Sequence, residues 1–404
     1  MASAGKEKKR RVLIIIENLP APFDRRVWQE ATTLRDAGYG VSIACPTGKG
    51  YKKRYEVIDD IRIYRYQLPT EGAGVLGYLA EYSAALFWQF LISFKVLFGP
   101  GFDAMHACNP PDNIFLVGGF FKLFFRKRFL FDHHDINPEL YEAKFGKRDF
   151  FYKVMLAWER WTFKTADVSI ATNESYKKIA IERGGMAPEK VHVVRSGPML
   201  DRLKIIPAVP ELKKGRKYLV GYVGVMGAQE GIDYLLRSVE HIVKKMGRDD
   251  IHFGLVGGGT DLDGMKEYAR ELGVAEYVTF TGRVPDQELL EMLNTADICV
   301  NPDVANEMND KSTMNKIMEY MALGKPIVQF DLTEGRFSAQ DASLYAKKND
   351  IVDMAEKIVQ LLEDPVVREK MGELGRNRVI KELEWKYEAP KLLLAYDMLF
   401  GSTR

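Results

Sequence analysis

Apolar residues in this chain alternate between short β-rich runs and segments of helical periodicity. Residues 11–16 form a continuous β-rich run of the kind buried on both faces of a parallel sheet. A polar, proline-bearing loop follows, and Asp24 is placed to cap a helix that turns Val27, Trp28, Ala31 and Leu34 inward and ends at Gly38. Residues 41–44 read as the next strand. A β-α-β opening implies a parallel sheet with right-handed crossovers, and such sheets bind ligands at the carboxyl ends of their strands. Further strands are expected at 104–106, 129–131, 168–171 and 191–194, with a helix over 174–182. The Pro-rich stretch 205–210 and the basic run 213–217 read as a domain boundary.

The second half begins again in the same way, with a strand at 218–222, the turn Gly224-Val225-Met226-Gly227 and a helix from Ile232. Strands at 251–256, 278–281 and 298–300 follow, with Gly257-Gly258-Gly259 after the first and Asp286 expected to cap a helix. Residues 309–326 then read as a helix start set directly after a buried strand. Ser312 or Thr313 is the expected N-cap, Gly324 the left-handed end and Pro326 the stop, with Met314, Ile317, Met318 and Met321 as the buried stripe. Such a helix start favours a phosphate, which Lys316 would attract, while Glu319 lies one turn on and can accept from two ribose hydroxyls. The expected fold is α/β, with doubly wound domains over 1–206 and 207–380. A C-terminal helix, 381–404, carries more apolar surface than one domain needs at its end.

Length and composition agree with this reading, since 404 residues exceed one compact domain and 46% hydrophobic with 28% charged residues is ordinary globular usage. A net charge of +2 hides local clusters. Lys6, Lys8, Lys9, Arg10 and Arg11 crowd the N-terminus, and Lys122, Arg126, Lys127 and Arg128 interleave with Phe120, Phe121, Phe124, Phe125 and Phe129. No nucleic-acid-binding motif accompanies them, and outward phenylalanines suit lipid better. Residues 78–98 are the most apolar stretch, but Glu81 and Lys95 bound an uncharged segment of 13 residues, short of the roughly 20 that a membrane-spanning helix needs. This segment therefore reads either as core or as a face dipping into a bilayer surface. Cys45, Cys108 and Cys299 follow apolar runs and read as buried, reduced strand-end residues, and no signal peptide is evident, so the cytoplasm is the expected compartment. His133 and His134 follow a strand between aspartates; one is expected to face the cleft and the other to be structural. Spacing suggests no third ligand for a metal, and Asp261 and Asp263 read as ordinary acidic residues at a helix start.

Five segments, in this order and spacing, carry a resemblance: VRSGP (194–198), YVGVMGAQEGIDYLL (222–236), LVGGGTDLDGMKEYARELGV (255–274), VTFTGRVPDQEL (278–289) and NKIMEYMALGKPIV (315–328). The chain resembles the family-4 retaining glycosyltransferases of the GT-B fold over nearly its whole length. Within that family PFDRRVWQEA (22–31) and FDHHDINPELYEAKFG (131–146) are similar to bacterial and archaeal enzymes of surface-polysaccharide and lipid-linked glycan assembly. The resemblance implies two Rossmann-like domains facing a central cleft, with the C-terminal helix crossing back to the N-domain. It also implies transfer of a hexosyl or N-acetylhexosaminyl group from a nucleoside-diphosphate sugar to a lipid-linked or glycan acceptor. Configuration would be retained, without metal or cofactor, at the inner face of the membrane.

By position, Glu319 matches the glutamate that grips the ribose, Arg283 and Val284 the loop on the base, and Gly257 falls with the nucleotide loops. Gly224, Met226 and Gly227 match the diphosphate turn, His134 best fits the histidine that approaches the donor sugar, and His133 is its alternative. Asp24, Arg25 and Arg26 stand where the acceptor would enter. The chain departs from the family at Lys311, which replaces the first of two glutamates eight positions apart, and at Val225 and Glu230, which replace the diphosphate-binding cations. A cluster of Lys311, Thr313, Asn315 and Lys316 is expected to take over that charge, with Lys311 in a catalytic role. The competing readings are a nucleotide-sugar 2-epimerase and a nucleotide-sugar-binding partner subunit without catalysis.

Overall fold

The computed structural model describes residues 9–68 and 74–401, so Lys6 and Lys8 of the basic N-terminus lie outside the described residues, as does the side chain of Tyr78. The chain divides into two compact units, Met1–Ser196 with Glu388–Arg404, and Gly197–Tyr387. The Pro-rich stretch therefore belongs to the second unit and is not the boundary. Ile206 and Leu212 pack against that unit's core, and the Val209 N–H donates to Thr295 Oγ1 at 2.8 Å.

In the first unit the strands are β1 (Arg11–Ile15), β2 (Gly40–Pro46), β3 (Tyr55–Ile58), β4 (Ile61–Tyr66), β5 (Ala104–Cys108), β6 (Arg128–His133), β7 (Val168–Ala171) and β8 (Val191–Val193). They form one sheet in the order β3-β4-β2-β1-β5-β6-β7-β8. All pairs are parallel except β3–β4, an edge hairpin that the sequence reading did not include. Its helices are α1 (Arg25–Asp36), α2 (Gly74–Phe98), α3 (Phe115–Phe125), α4 (Asn137–Phe145), α5 (Phe150–Thr165) and α6 (Glu174–Glu182).

The second unit has β9 (Tyr218–Val223), β10 (Ile251–Val256), β11 (Val278–Gly282), β12 (Ile298–Asn301), β13 (Ile327–Phe330) and β14 (Ser343–Ala346), ordered β11-β10-β9-β12-β13-β14 and parallel throughout. Around them lie α7 (Ile232–Glu240), α8 (Leu262–Glu271), α9 (Asp286–Thr295), α10 (Glu307–Lys311), α11 (Asn315–Ala322), α12 (Thr333–Ala339), α13 (Ile351–Glu363) and α14 (Pro365–Arg378). Alternate residues of β9 feed two different cores, Tyr218, Val220 and Tyr222 on one face and Leu219 on the other. Such two-sided burial is why these strands read as unbroken apolar runs.

Both sheets reverse their order at one place, between β1 and β5 in the first and between β9 and β12 in the second. Ligand sites of doubly wound folds form at this switch. The last helix, α15 (Trp385–Phe400), joins the first unit from Glu388 onward. There Glu388 Oε2 accepts from the Arg195 N–H at 2.9 Å, the Tyr396 hydroxyl lies 2.8 Å from His106 Nδ1, and Tyr39 packs edge-on against Tyr396.

The phenylalanine-rich segment has two faces. Phe121 and Phe129 are fully buried, so part of the alternation serves the core. Phe90 and Phe94 of α2 meet Phe120 of α3 ring to ring, which leaves Phe87, Leu91 and Phe98 of α2 and Leu123 and Phe124 of α3 exposed. Arg126 and Arg128 are exposed just beyond α3. Among the described residues no helix is long and apolar enough to cross a membrane.

Two outcomes follow from this packing. Tyr396→Ala should remove about 3–5 kcal/mol from the unfolding of the first unit, the usual cost of deleting a buried aromatic ring, whereas Leu394→Ala on the exposed side of α15 should cost little. Denaturant titration of the full chain measures both, and an unmoved transition in Tyr396→Ala would detach α15 from the core. The second concerns Glu17, which follows β1 at the switch, is buried, and has an Oε1 with no hydrogen-bond partner. Burial, reinforced by Glu81, pushes its carboxyl from 4.5 up to about 8. A carboxyl raised in this way holds its proton more tightly when folded, so its contribution to stability is complete below 4.5 and is lost as pH rises through about 8. Glu17→Gln should flatten the fall in stability across that window; parallel declines in mutant and wild type would mean that Glu17 is ionised in the native protein.

Candidate functional site

In the first unit the strand ends at the switch carry a buried charge network centred on Arg26. Its Nη2 lies 2.9 Å from Asp132 Oδ1 and 3.1 Å from Glu30 Oε1, and its Nη1 donates to the Val194 carbonyl at 2.8 Å. Arg26 was expected to meet the acceptor; its burial and its partners Asp132, Glu30, Val194, His134 and Ser196 make it a structural cation instead. Asp24 caps α1 as expected, accepting from the Val27 N–H at 3.0 Å, and Arg25 is exposed beside it.

His134 Nε2 contacts Asp132 Oδ2 and lies 3.0 Å from Arg26 Nε. Although burial opposes its charge, Asp132 is held well below the usual carboxylate range by Arg26 and His134. Glu30 is held well above it by burial and by the neighbouring Asp132. The network thus sets one guanidinium against two acidic side chains whose proton affinities are driven in opposite directions. Asn109, which the sequence reading passed over as a site residue, accepts from the His134 N–H at 2.7 Å and the Asp135 N–H at 3.2 Å and so fixes the loop. His133 is not a second candidate for the chemistry. It is fully buried among Phe131, Phe163 and Tyr176, with Glu159 at 3.6 Å.

Glu30, His106, Cys108 and Asp132 bring potential ligand atoms within 4.8 Å of one another. Arg26 already supplies the positive charge there, which disfavours a metal ion in the same place.

In the second unit the switch lies between β9 and β12, and the loops after these strands are locked together. Gly231, at φ +64°, packs so closely on the Pro302 carbonyl that a Cβ would stand 1.9 Å from its oxygen. Asn309 Nδ2 donates to the Gln229 carbonyl at 2.8 Å and the Val304 carbonyl at 2.9 Å. Gly257 is required as well, because a Cβ there would meet the Gly224 carbonyl at 1.7 Å. Close backbone approach is the role that glycine alone can fill. The Met226 backbone is not available to a phosphate: its N–H donates to Gly258 at 3.1 Å, its carbonyl accepts from Asp261 at 3.0 Å, and its side chain is buried. Gly227 remains half-exposed in the same turn.

Lys316 reaches this turn from α11. Its Nζ lies 2.6 Å from Glu230 Oε2 and 2.8 Å from Asp303 Oδ1, against the Tyr222 ring, and 3.3 Å from where a Gly224 Cβ would be. Burial, with Glu230 alongside, pushes Asp303 up to about 7, because two carboxylates share one ammonium. The helix start differs from the expectation: α11 begins at Asn315 with Met314 as its cap residue and no side-chain cap bond, so neither Ser312 nor Thr313 caps it. The two lysines expected to act together have different partners, for Lys311 ends the separate helix α10 and pairs with Glu307 at 2.7 Å. Thr313 is half-buried between the helices and Asn315 is exposed. The C-terminal end agrees, with Gly324 at φ +68°.

Glu319 pairs with Arg202, which also reaches Asp286 Oδ2 at 3.1 Å. Asp286 begins α9 without capping it, and Arg202 lies in an irregular stretch that offered no periodicity to read. Arg283 is exposed, and Val284 packs on the core beneath.

Comparison with known proteins agrees with this architecture. A family model described as Glycosyltransferase Family 4 matches residues 24–202, and one described as Glycosyl transferases group 1 matches residues 217–364. The chain is 24% identical over 266 residues to a 2-deoxystreptamine glucosyltransferase of Streptomyces kanamyceticus, which covers 63% of this chain and 66% of that protein, just under two-thirds of its length. It is 20% identical over 375 residues to an uncharacterized glycosyltransferase of Methanocaldococcus jannaschii, covering 90% and 91% of the two chains. Among solved structures, sucrose-phosphate synthase from Thermosynechococcus elongatus superposes with a TM-score of 0.80 at 19% identity over 98% of this chain and 100% of that one. Anabaena HepE in complex with UDP and glucose does so at 0.74 and 14%, over 96% and 99%. With the two models matched in chain order, one on each half, and two doubly wound units of the GT-B kind beneath them, the chain belongs to the family-4 glycosyltransferases.

Proposed function

We propose that this protein transfers a hexosyl or N-acetylhexosaminyl group from a nucleoside-diphosphate sugar to a lipid-linked or glycan acceptor, with retention of configuration as the family likeness implies. The observation that carries the reading is the buried Lys316 ammonium beside Gly224, at the switch of the second sheet. The family's phosphate-binding cation is exchanged here for Glu230, and Lys316 restores a positive charge to the same turn from another helix. A proton on Asp303, favoured by its elevated pKa, leaves Lys316 facing one carboxylate and strengthens its pull on an incoming diphosphate.

In this reading the diphosphate lies on the Gly224 turn and Glu319 exchanges Arg202 for the ribose hydroxyls. His134, held by Asp132 and the Asn109 loop, serves the transferring sugar. The bond from the anomeric carbon to the phosphate oxygen breaks as the acceptor oxygen attacks from the same face, and the acceptor proton passes to the leaving diphosphate. Lys316 and the backbone of the turn stabilise the charge that develops, so the reading calls for no metal or cofactor. HepE, described with UDP and glucose, supports a donor of this class. A second reading, a nucleotide-sugar-binding subunit without turnover, is favoured by one observation: Lys316 is already countered by two carboxylates. A 2-epimerase is the other enzymatic alternative. Incubation with a panel of nucleotide sugars separates the three, with slow donor hydrolysis, binding alone or epimer formation as their respective results.

We also assign the protein to the inner membrane surface as a peripheral, cytoplasmic enzyme. The exposed Phe98, Leu123 and Phe124 beside Arg126 and Arg128 supply the apolar and basic elements that an anionic bilayer binds.

Two tests follow. Glu319→Ala should weaken nucleoside-diphosphate binding by about 1–3 kcal/mol in calorimetry. Lys316→Ala should lose more affinity for the nucleoside diphosphate than for the nucleoside, and equal losses would end its phosphate role. For the membrane, wild type should float with anionic vesicles at low salt and sink at high salt. Changing Leu123 and Phe124 to Ser should abolish flotation; flotation that survives would move the anchor elsewhere.

A further inference from the structure

A cavity of about 220 Å³ opens in the first unit between α4 and α5, with Tyr82 of α2 along one side. That exceeds the ~150 Å³ apolar cavity able to accept a benzene ring. Leu140, Val154, Met155 and Trp158 supply its walls. Two polar groups of the lining are already engaged: the Tyr141 hydroxyl donates to Asp149 Oδ2 at 3.0 Å, and Asn137 Nδ2 donates to Asp112 Oδ2 at 2.7 Å. A sugar or a nucleotide base entering here would lose its hydrogen bonds to water with few to replace them, whereas a hydrocarbon chain loses none.

Two further observations set what the chain must carry and where it comes from. Lys144 is the one charged residue of the lining. The wall residue Asn137 stands three positions after His134, a span of at most about 10 Å. An anionic head at the mouth would therefore lie near His134 with its tail in the cavity. On the other side, α2 runs from Tyr82 at the cavity to the exposed Phe87 and Leu91 of the apolar, basic face. Phe150, 71% exposed at the start of α5, extends the apolar lip.

We propose that this cavity receives the hydrocarbon tail of a phosphate-bearing lipid acceptor and delivers its head toward His134. The proposal rests on the transferase reading above for its acceptor but is measured without it.

The test uses alkyl phosphates of increasing length, octyl to dodecyl, titrated below micelle formation into the full-length protein and followed by tryptophan fluorescence and calorimetry. Affinity should rise about fourfold for each added methylene that is buried, with inorganic phosphate binding far more weakly. Val154→Trp, which fills the cavity, should weaken dodecyl phosphate at least about tenfold and remove the dependence on chain length. Met155→Ala, which enlarges it, should keep that dependence, so a misfolded Val154→Trp protein does not decide the matter. Lys144→Ala should weaken dodecyl phosphate but not dodecanol. Binding that is independent of chain length in wild type, or equal in wild type and a folded Val154→Trp, overturns the proposal. So does a self-association of the protein that Val154→Trp abolishes, since the occupant would then be a second copy. Donor hydrolysis without acceptor is assayed in parallel: its absence beside intact chain-length dependence would count against the transferase and leave the lipid cavity standing.

Discussion

Burying a guanidinium is costly unless each of its donors finds an acceptor, and the first unit is arranged around meeting that condition for Arg26. Its partners come from α1, from β6 and from the residues after β8, so one side chain from the first turn of α1 registers three elements against one another. The same Asp132 that answers Arg26 also contacts His134 and lies 3.3 Å from His106 Nε2, which in turn meets Tyr396. A side chain on the last helix is thereby connected, through two ring nitrogens and a carboxylate, to the histidine assigned to the chemistry. Removing Asp132 would leave the Arg26 charge without its closest ion-pair partner and take away the side-chain contact of His134.

The second unit solves the opposite problem, that of holding a cation at its strand switch without leaving it bare. Lys316 is desolvated by its surroundings and held by Asp303 and Glu230, while the glycines at 224, 231 and 257 let three backbone segments approach more closely than any side chain would permit. Charge and shape at this turn come from different parts of the sequence.

Much of this was legible in the sequence. Apolar runs buried on both faces leave a clear pattern, so most of the parallel strands were found, with β4, β13 and β14 missed, and Gly324 ended its helix as its position after the apolar stripe implied. What was not legible has a common cause. Arg26 looked like an accessible cation because the residues that bury it, Asp132 and Glu30, are charged themselves, and only the fold brings them together. Arg202 lies in irregular chain with no period to mark it. Asn309 and Asn109 act by bonding backbone carbonyls or amides far away in sequence, a role that no local pattern encodes. Phe121 and Phe124 are three positions apart in the same basic, aromatic segment, yet one is core and the other surface, a distinction set by which face α2 covers. The division into units was misplaced for a related reason: prolines at 205–210 suggested a linker, but their neighbours pack into the second core.

The placement of α15 bears on how the chain can be made. The second unit is contiguous and is complete once residue 387 has been synthesised, whereas the first unit, although it begins the chain, includes residues from 388 onward. Domains usually acquire their structure in the order in which they leave the ribosome. Here Tyr39 and His106 meet Tyr396, and Arg195 meets Glu388, only after the whole of the second unit has been made, so vectorial synthesis leaves those contacts of the first unit to form last.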